Sequence, residues 1–229
     1  MLQMSQSVEN YLKAIYDLER LGDAVQTGAL AEALTVAPAS VSGMVPRLVD
    51  AGLIQRGAYR GVRLTETGRE AAVQVIRRHR ILETYLTQVL GWGWDTVHEE
   101  AERLEHAASD RLIERMAEAL DNPRYDPHGA PIPTVEGKIE QQELVPMSEV
   151  AVGGLGEVRL VSDDDPSRLR YVASLGFQVG ARFEVLDVKP FDGPVTVRRL
   201  ERDAAPQVIG FELAQSLLSL ALRREVATC

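Results

Sequence analysis

Ala37-Pro38-Ala39-Ser40-Val41-Ser42-Gly43-Met44-Val45-Pro46-Arg47-Leu48-Val49-Asp50-Ala51-Gly52-Leu53-Ile54 is the stretch whose reading decides the fold. Pro38 suits a first helical turn, where its missing N–H has no partner to lose, and Gly52 supplies the stop. Val41, Val45, Leu48 and Val49 recur at helical spacing and give the segment one buried face. Upstream, residues 28–34 read as a short helix with Thr27 as N-cap. Before that, Val8, Leu12, Ile15, Leu18 and Leu21 mark a longer amphipathic helix. Two short helices with a tight connection, the second opening on small polar residues, form a helix-turn-helix pattern. Strands over 53–56 and 62–65, joined by the loop 57–61, add a wing. The competing reading is a three-helix domain that binds protein instead of DNA. Pro46 removes a helical hydrogen bond and crowds the Ser42 carbonyl, so a bend is expected there.

Contacts to nucleic acid follow from residue type. Thr27, Ser40, Ser42, Arg47 and Arg60 offer donors to phosphates, with Arg56 and Arg63 nearby. Pro38 and Ala39, beside Ala37, offer apolar contact to thymine methyls. Direct readout is sparse, which leaves part of the specificity to DNA shape.

The net charge of −9 argues against a non-specific nucleic-acid binder, which is normally basic. The first 73 residues hold 7 Lys+Arg against 8 Asp+Glu, so the acidity lies further along the chain. No apolar run approaches the roughly 20 residues that cross a bilayer. The first residues lack the pattern of a secretory signal. A cytoplasmic protein without membrane partner is expected. The single cysteine, Cys229, excludes a disulfide framework and a cysteine-based zinc site.

Further on, His98-Glu99-Glu100-Ala101-Glu102-Arg103-Leu104-Glu105-His106 is rich in metal-ligating side chains. If the run is helical over residues 95–109, His98, Glu102, Glu105 and His106 share one face. His79 and Glu83 form an i, i+4 pair on a preceding long helix, residues 69–90. A solvated helix face with internal ion pairs is the alternative for such a run. A further helix over 110–120 carries Leu112, Ile113, Met116 and Leu120, a candidate dimer surface. Pro123, Pro127, Pro131 and Pro133 then mark a stiff connector. Beyond it, residues 156–161, 182–188 and 195–200 alternate as strands, residues 167–175 read as helix, and 211–222 as a terminal helix. The expected fold class is α+β, mainly α. Its expected domains are a winged helix over 1–73, a helical metal-binding and dimerisation domain over 74–140, and an SH3-like β-barrel over 141–229.

Several motifs together resemble the diphtheria toxin repressor family of metal-dependent transcription regulators. They are residues 9–16 (Glu-Asn-Tyr-Leu-Lys-Ala-Ile-Tyr), Val41-Ser42, residues 64–69 (Leu-Thr-Glu-Thr-Gly-Arg), Arg78-His79-Arg80, residues 97–101 (Val-His-Glu-Glu-Ala), Leu104-Glu105-His106, Ser109-Asp110 and residues 126–133 (Asp-Pro-His-Gly-Ala-Pro-Ile-Pro). The resemblance covers about the first 135 residues closely, and the tail resembles the SH3-like module of longer members. It implies two metal positions. His79, Glu83 and His98 match the ligands of one, which the C-terminal module completes in some members, with Asp165 of the Asp163-Asp164-Asp165 run as the candidate here. Arg168 falls where a second such ligand would lie and cannot ligate. Asn10, Glu102, Glu105 and His106 match the other. Iron-sensing members have sulfur ligands where this chain has Asn10 and Glu102, and manganese regulators have carboxylates at both. Hard oxygen donors with imidazole suit Mn²⁺, with Fe²⁺ as the alternative. His128 is expected to serve the turn rather than a metal.

The function implied is a homodimeric repressor of metal-uptake genes that binds double-stranded operator DNA, is not an enzyme and takes no organic cofactor. A metal-dependent hydrolase and a metal buffer are the rivals from other classes. The first needs an open coordination position and a general base, and the second needs no helix-turn-helix.

Overall fold

The computed structural model describes residues 4–19, 24–57, 61–162 and 165–222. These form two compact units, Met1–Leu82 with Glu102–Asp121 and Ile132–Ile139, and Glu83–Ala101 with Asn122–Pro131 and Glu140–Cys229. The three consecutive domains expected from sequence differ from this division. Residues 83–101 and 122–131 of the helical middle fall in the second unit, and its other residues to 139 fall in the first.

The first unit opens with helices α1 (Gln6–Glu19), α2 (Thr27–Ala33) and α3 (Pro38–Asp50), followed by the hairpin β1 (Ile54–Arg56) and β2 (Val62–Leu64). Leu12, Ile15, Leu30, Val41, Leu48, Ile54 and Val62 are buried together, each such side chain contributing about 1.5–3 kcal/mol. Val25 exchanges two backbone hydrogen bonds of 2.9 Å with Val62, adding a third strand position to the wing. Thr27 is the first residue of α2 and not its cap, since Gln26 stands at the N-cap without a side-chain bond. Helix α3 continues through Pro46.

Helix α4 (Glu66–Gln88) starts three residues earlier than expected, since the Thr65 hydroxyl accepts from Gly68 N at 3.0 Å. It begins in the first unit and ends in the second. Helix α5 (Val97–Leu104) is shorter than the expected 95–109 and stops before Glu105 and His106, which lie in the turn that follows. Ser109 then caps α6 (Asp110–Ala119), accepting from Leu112 N.

The second unit carries an antiparallel six-stranded sheet of the SH3-like type. Its strands are β3 (Val145–Pro146), β4 (Leu155–Val161), β5 (Arg182–Val188), β6 (Val195–Arg199), β7 (Gln207–Ile209) and β8 (Leu217–Leu222), in the order β3-β8-β4-β5-β6-β7. Helices α7 (Pro166–Leu175) and α8 (Phe211–Ser216) complete it. The terminal helix expected over 211–222 is corrected: it ends at Ser216, and Leu217–Leu222 is an interior strand. Leu and Ala favour helix locally, but this segment finds ladder partners on both sides, in β3 and β4, and turns Leu217 and Ser219 inward. Tertiary pairing overrides propensity.

Candidate metal centre

In the first unit, α1 presents Glu9, Asn10 and Lys13 at helical i, i+1 and i+4 spacing, so Glu9 and Lys13 share a face that Asn10 flanks. Opposite them the chain places Glu102, Glu105 and His106. The Lys13 ammonium donates to Glu102 Oε1 at 2.7 Å and to Glu105 Oε2 at 3.1 Å, and lies 3.2 Å from His79 Nδ1. His79 Nδ1 is in turn 2.6 Å from Glu105 Oε2. The ligand atoms of His79, Glu102 and Glu105 lie within 4.8 Å of one another. Burial alone would raise the Glu105 carboxyl, but the His79 hydrogen bond and the Lys13 charge outweigh it and hold it below its ordinary range. Burial likewise pulls the Lys13 ammonium down, and the charges of Glu105 and Glu102 outweigh that, leaving it above an ordinary lysine.

His106 sits in a fixed relay. Arg78 Nη2 donates to Glu9 Oε1 at 2.6 Å, and Glu9 Oε2 is 2.6 Å from His106 Nδ1. A carboxylate on Nδ1 holds the proton there and leaves the lone pair on Nε2. That Nε2 is buried without a hydrogen bond among the described residues, although Glu105 Oε1 lies 3.3 Å away. Asn10 Oδ1 is likewise buried with no donor. Buried, unmatched lone pairs such as these cost free energy as they stand. The oxygen and imidazole donors fit a divalent cation of the Mn²⁺ or Fe²⁺ kind. Asn10 lies on α1 between Glu9 and Lys13, which contact His106, Glu102 and Glu105, and Glu9, Arg78 and Lys13 are partners of the candidate ligands that sequence reasoning did not single out. Their one legible signal was the shared face of α1.

In the second unit, Glu83 is fully buried and its Oε1 is 3.1 Å from His98 Nδ1. The expectation that His98, Glu102, Glu105 and His106 share one helix face holds only for His98 and Glu102, at i and i+4 of α5, and is corrected for Glu105 and His106, which lie beyond its end. Since α5 ends at Leu104, the straight-helix geometry behind that expectation does not extend to Glu105.

Asp126 and His128 join Glu83. The ligand atoms of the three lie within 4.8 Å of one another, all buried. Asp126 Oδ1 accepts from His128 N and Ala130 N at 2.9 Å, which shapes the turn. The His128 ring is pinned by Nε2 to the Trp94 carbonyl at 2.6 Å, stacks on Trp94, and holds Nδ1 3.9 Å from Glu83 Oε2. Gly129 makes the turn possible, with φ +91° and a hypothetical Cβ only 1.7 Å from the Arg159 carbonyl. His128 therefore has a ring environment like that of a ligand, beyond the turn role expected for it.

Asp165, the residue expected to complete the His79, Glu83 and His98 set, has a local role. It is exposed and caps α7, its Oδ1 accepting from Ser167 N at 2.8 Å and Arg168 N at 3.3 Å. Asp163 and Asp164 lie outside the described residues. Among those described, no group of close ligand atoms includes Asp165.

On the helix-turn-helix, Thr27, Pro38, Ala39, Ser40, Ser42 and Arg47 are all exposed. The Ser42 hydroxyl donates to Pro38 O at 3.0 Å, which engages its proton within the helix and weakens its expected role as a phosphate donor. Arg60 lies outside the described residues.

Three family models match in succession: the iron dependent repressor N-terminal DNA binding domain over residues 3–62, its metal binding and dimerisation domain over 65–134, and the FeoA domain over 145–228. The chain is 36% identical to the iron-dependent repressor IdeR of Mycobacterium tuberculosis over 160 residues, 67% of this chain and 70% of that protein. It is 30% identical to the diphtheria toxin repressor of Corynebacterium diphtheriae over 213 residues, 89% of this chain and 93% of the relative. A solved manganese-dependent transcriptional repressor in complex with manganese superposes with a TM-score of 0.88 at 39% identity, covering 94% of this chain and 100% of that one. The chain belongs to the iron-dependent and diphtheria toxin repressor family, whose members are metal-dependent DNA-binding transcriptional regulators and not enzymes, and it carries the FeoA domain at its C-terminal end.

Proposed function

We propose that this chain is a manganese-activated repressor of metal-uptake genes, with Fe²⁺ as the alternative co-repressor, acting as a homodimer on operator DNA. Asn10, Glu102, Glu105 and His106 hold one cation, and the observation that carries this is the Arg78–Glu9–His106 relay, which aims a buried, unmatched Nε2 lone pair beside Glu105. His79, Glu83 and His98 are proposed for a second, with Asp126 and His128 as additional donors to Glu83's side. Asp165 serves as the cap of α7 and is left out of this set. The cation supplies the positive charge on which these donors converge. The oxygen-rich set at positions 10 and 102 supports Mn²⁺, since neither offers sulfur.

The residues of α1 do the coupling. Glu9 and Lys13 bind groups about 90 residues away in the chain, so the same helix that packs in the helix-turn-helix core also reads the state of Glu102, Glu105 and His106. Fixing α1 fixes α3, and the spacing of two α3 helices in a dimer must match half-sites about one DNA turn apart. Typical coupling of about 1–3 kcal/mol corresponds to roughly 5–150-fold tighter operator binding. The test is anisotropy on DNA from upstream of metal-transporter genes, titrating Mn²⁺ and anaerobic Fe²⁺ in turn. Tightening with Mn²⁺ at concentrations where Fe²⁺ leaves affinity unchanged is expected; the reverse order would make iron the co-repressor, and no response to either would refute the metal-activation reading.

A further inference from the structure

Among the described residues, Lys13 places its ammonium inside the ligand cluster. Its ammonium touches all three members of the His79, Glu102 and Glu105 group: 2.7 Å to Glu102 Oε1, 3.1 and 3.4 Å to the two Glu105 oxygens, and 3.2 Å to His79 Nδ1. Those are the same three side chains whose ligand atoms lie close enough to hold a metal ion. The lysine is 16% exposed and Glu105 is fully buried, so the ammonium is enclosed by its partners and not resting on the surface. By contrast Lys189, another of the chain's three lysines, is 61% exposed. An ammonium and a metal ion compete for the same lone pairs. The lysine has the advantage of being tethered, at an effective concentration no dilution lowers. Displacing it leaves a desolvated positive charge beside the incoming cation.

We propose that Lys13 is a resident cation that fills the His79–Glu102–Glu105 triad and sets how many metal ions this face accepts. It blocks an ion from that triad and leaves Asn10, His106 and the outward lone pairs of the Glu102 and Glu105 carboxylates to a single divalent cation. Glu105 is the shared element, touching Lys13, His79 and His106 at once. The inference rests on the metal-binding reading given above, and it makes Lys13 a determinant of stoichiometry.

The experiment counts Mn²⁺ per protomer by native mass spectrometry on the full chain, stripped with chelator and then dialysed against Mn²⁺. Lys13→Gln is expected to hold one more ion than the wild type, and Lys13→Arg the same number as the wild type. An unchanged count in Lys13→Gln overturns the proposal. If the wild type holds no ion while Lys13→Gln holds one, Lys13 keeps its role and the metal-activation reading fails; if neither holds any, both fail. A second measurement is independent of the variants' folding. Reductive methylation of the wild type is expected to label Lys138 and Lys189 and to spare Lys13, with or without Mn²⁺. Labelling of Lys13 on adding Mn²⁺ would show that the ion displaces the lysine, which overturns the proposal.

Discussion

Glu9→Gln isolates the relay that aims His106. The wild-type carboxylate accepts from Arg78 at 2.6 Å with one oxygen and from His106 Nδ1 at 2.6 Å with the other, and its side chain is only 9% exposed. The amide keeps the shape and one accepting oxygen but loses the charge, and its NH₂ faces whichever partner the oxygen does not serve. Each hydrogen bond to a charged group is worth about 1.5–3 kcal/mol, so the metal-free protein should lose about 2–3 kcal/mol of stability. The larger consequence is for metal affinity. Without the carboxylate, His106 no longer has its proton fixed on Nδ1, and loss of such a supporting partner typically weakens metal binding roughly 10–100-fold. Calorimetric titration with Mn²⁺ at pH 7, alongside urea unfolding in chelator, measures both. Wild-type Mn²⁺ affinity in a destabilised Glu9→Gln protein would refute the relay: Glu9 would then be a structural ion pair with no bearing on the ligand.

Three further outcomes are expected. Asp165→Ala should cost about 1 kcal/mol through loss of the α7 cap and leave Mn²⁺ affinity unchanged in calorimetry; a weakened affinity would restore Asp165 as a ligand. Gly129→Ala forces a side chain into φ +91° and against the Arg159 carbonyl; it should destabilise by more than the roughly 1–3 kcal/mol of backbone strain alone, read by thermal unfolding, and a neutral result would contradict the packing of the Asp126–His128 turn. Glu105's folded pKa is depressed, so its contribution to stability is complete above the ordinary carboxylate value of about 4.3 and is lost as pH falls through the lowered folded value. Urea midpoints in chelator should therefore fall more steeply on acidification for wild type than for Glu105→Gln, and parallel curves would contradict the pairing with His79 and Lys13.

The winged helix was legible because its signals are local: helical spacing at Val41, Val45 and Leu48, Pro38 at the start of α3, and Gly52 after it. The strands β5 and β6 were legible for the same reason, through alternation. The ends of α5 and α8 were not, because they are set by what the chain meets. Leu217–Leu222 has helical composition and becomes a strand only because β3 and β4 flank it. The candidate ligand residues on α4 and on and after α5 carried their chemistry in their names. Glu9, Lys13 and Arg78 did not, since each is an ordinary helix-surface charge until its partner, 69 to 97 residues distant, is known. His128 was read from its proline-rich neighbours, which describe the turn and say nothing of the Trp94 carbonyl and Glu83 that its ring faces.

Operator binding by the wild type and by Glu102→Ala, measured by anisotropy in chelator and in saturating Mn²⁺, tests the coupling of the Asn10, Glu102, Glu105 and His106 set to DNA most directly. The wild type should tighten by roughly 5–150-fold on adding Mn²⁺, and Glu102→Ala should lose most of that gain while keeping the chelator-state affinity. A Glu102→Ala protein that retains the full response would contradict the assignment of this set as the switch.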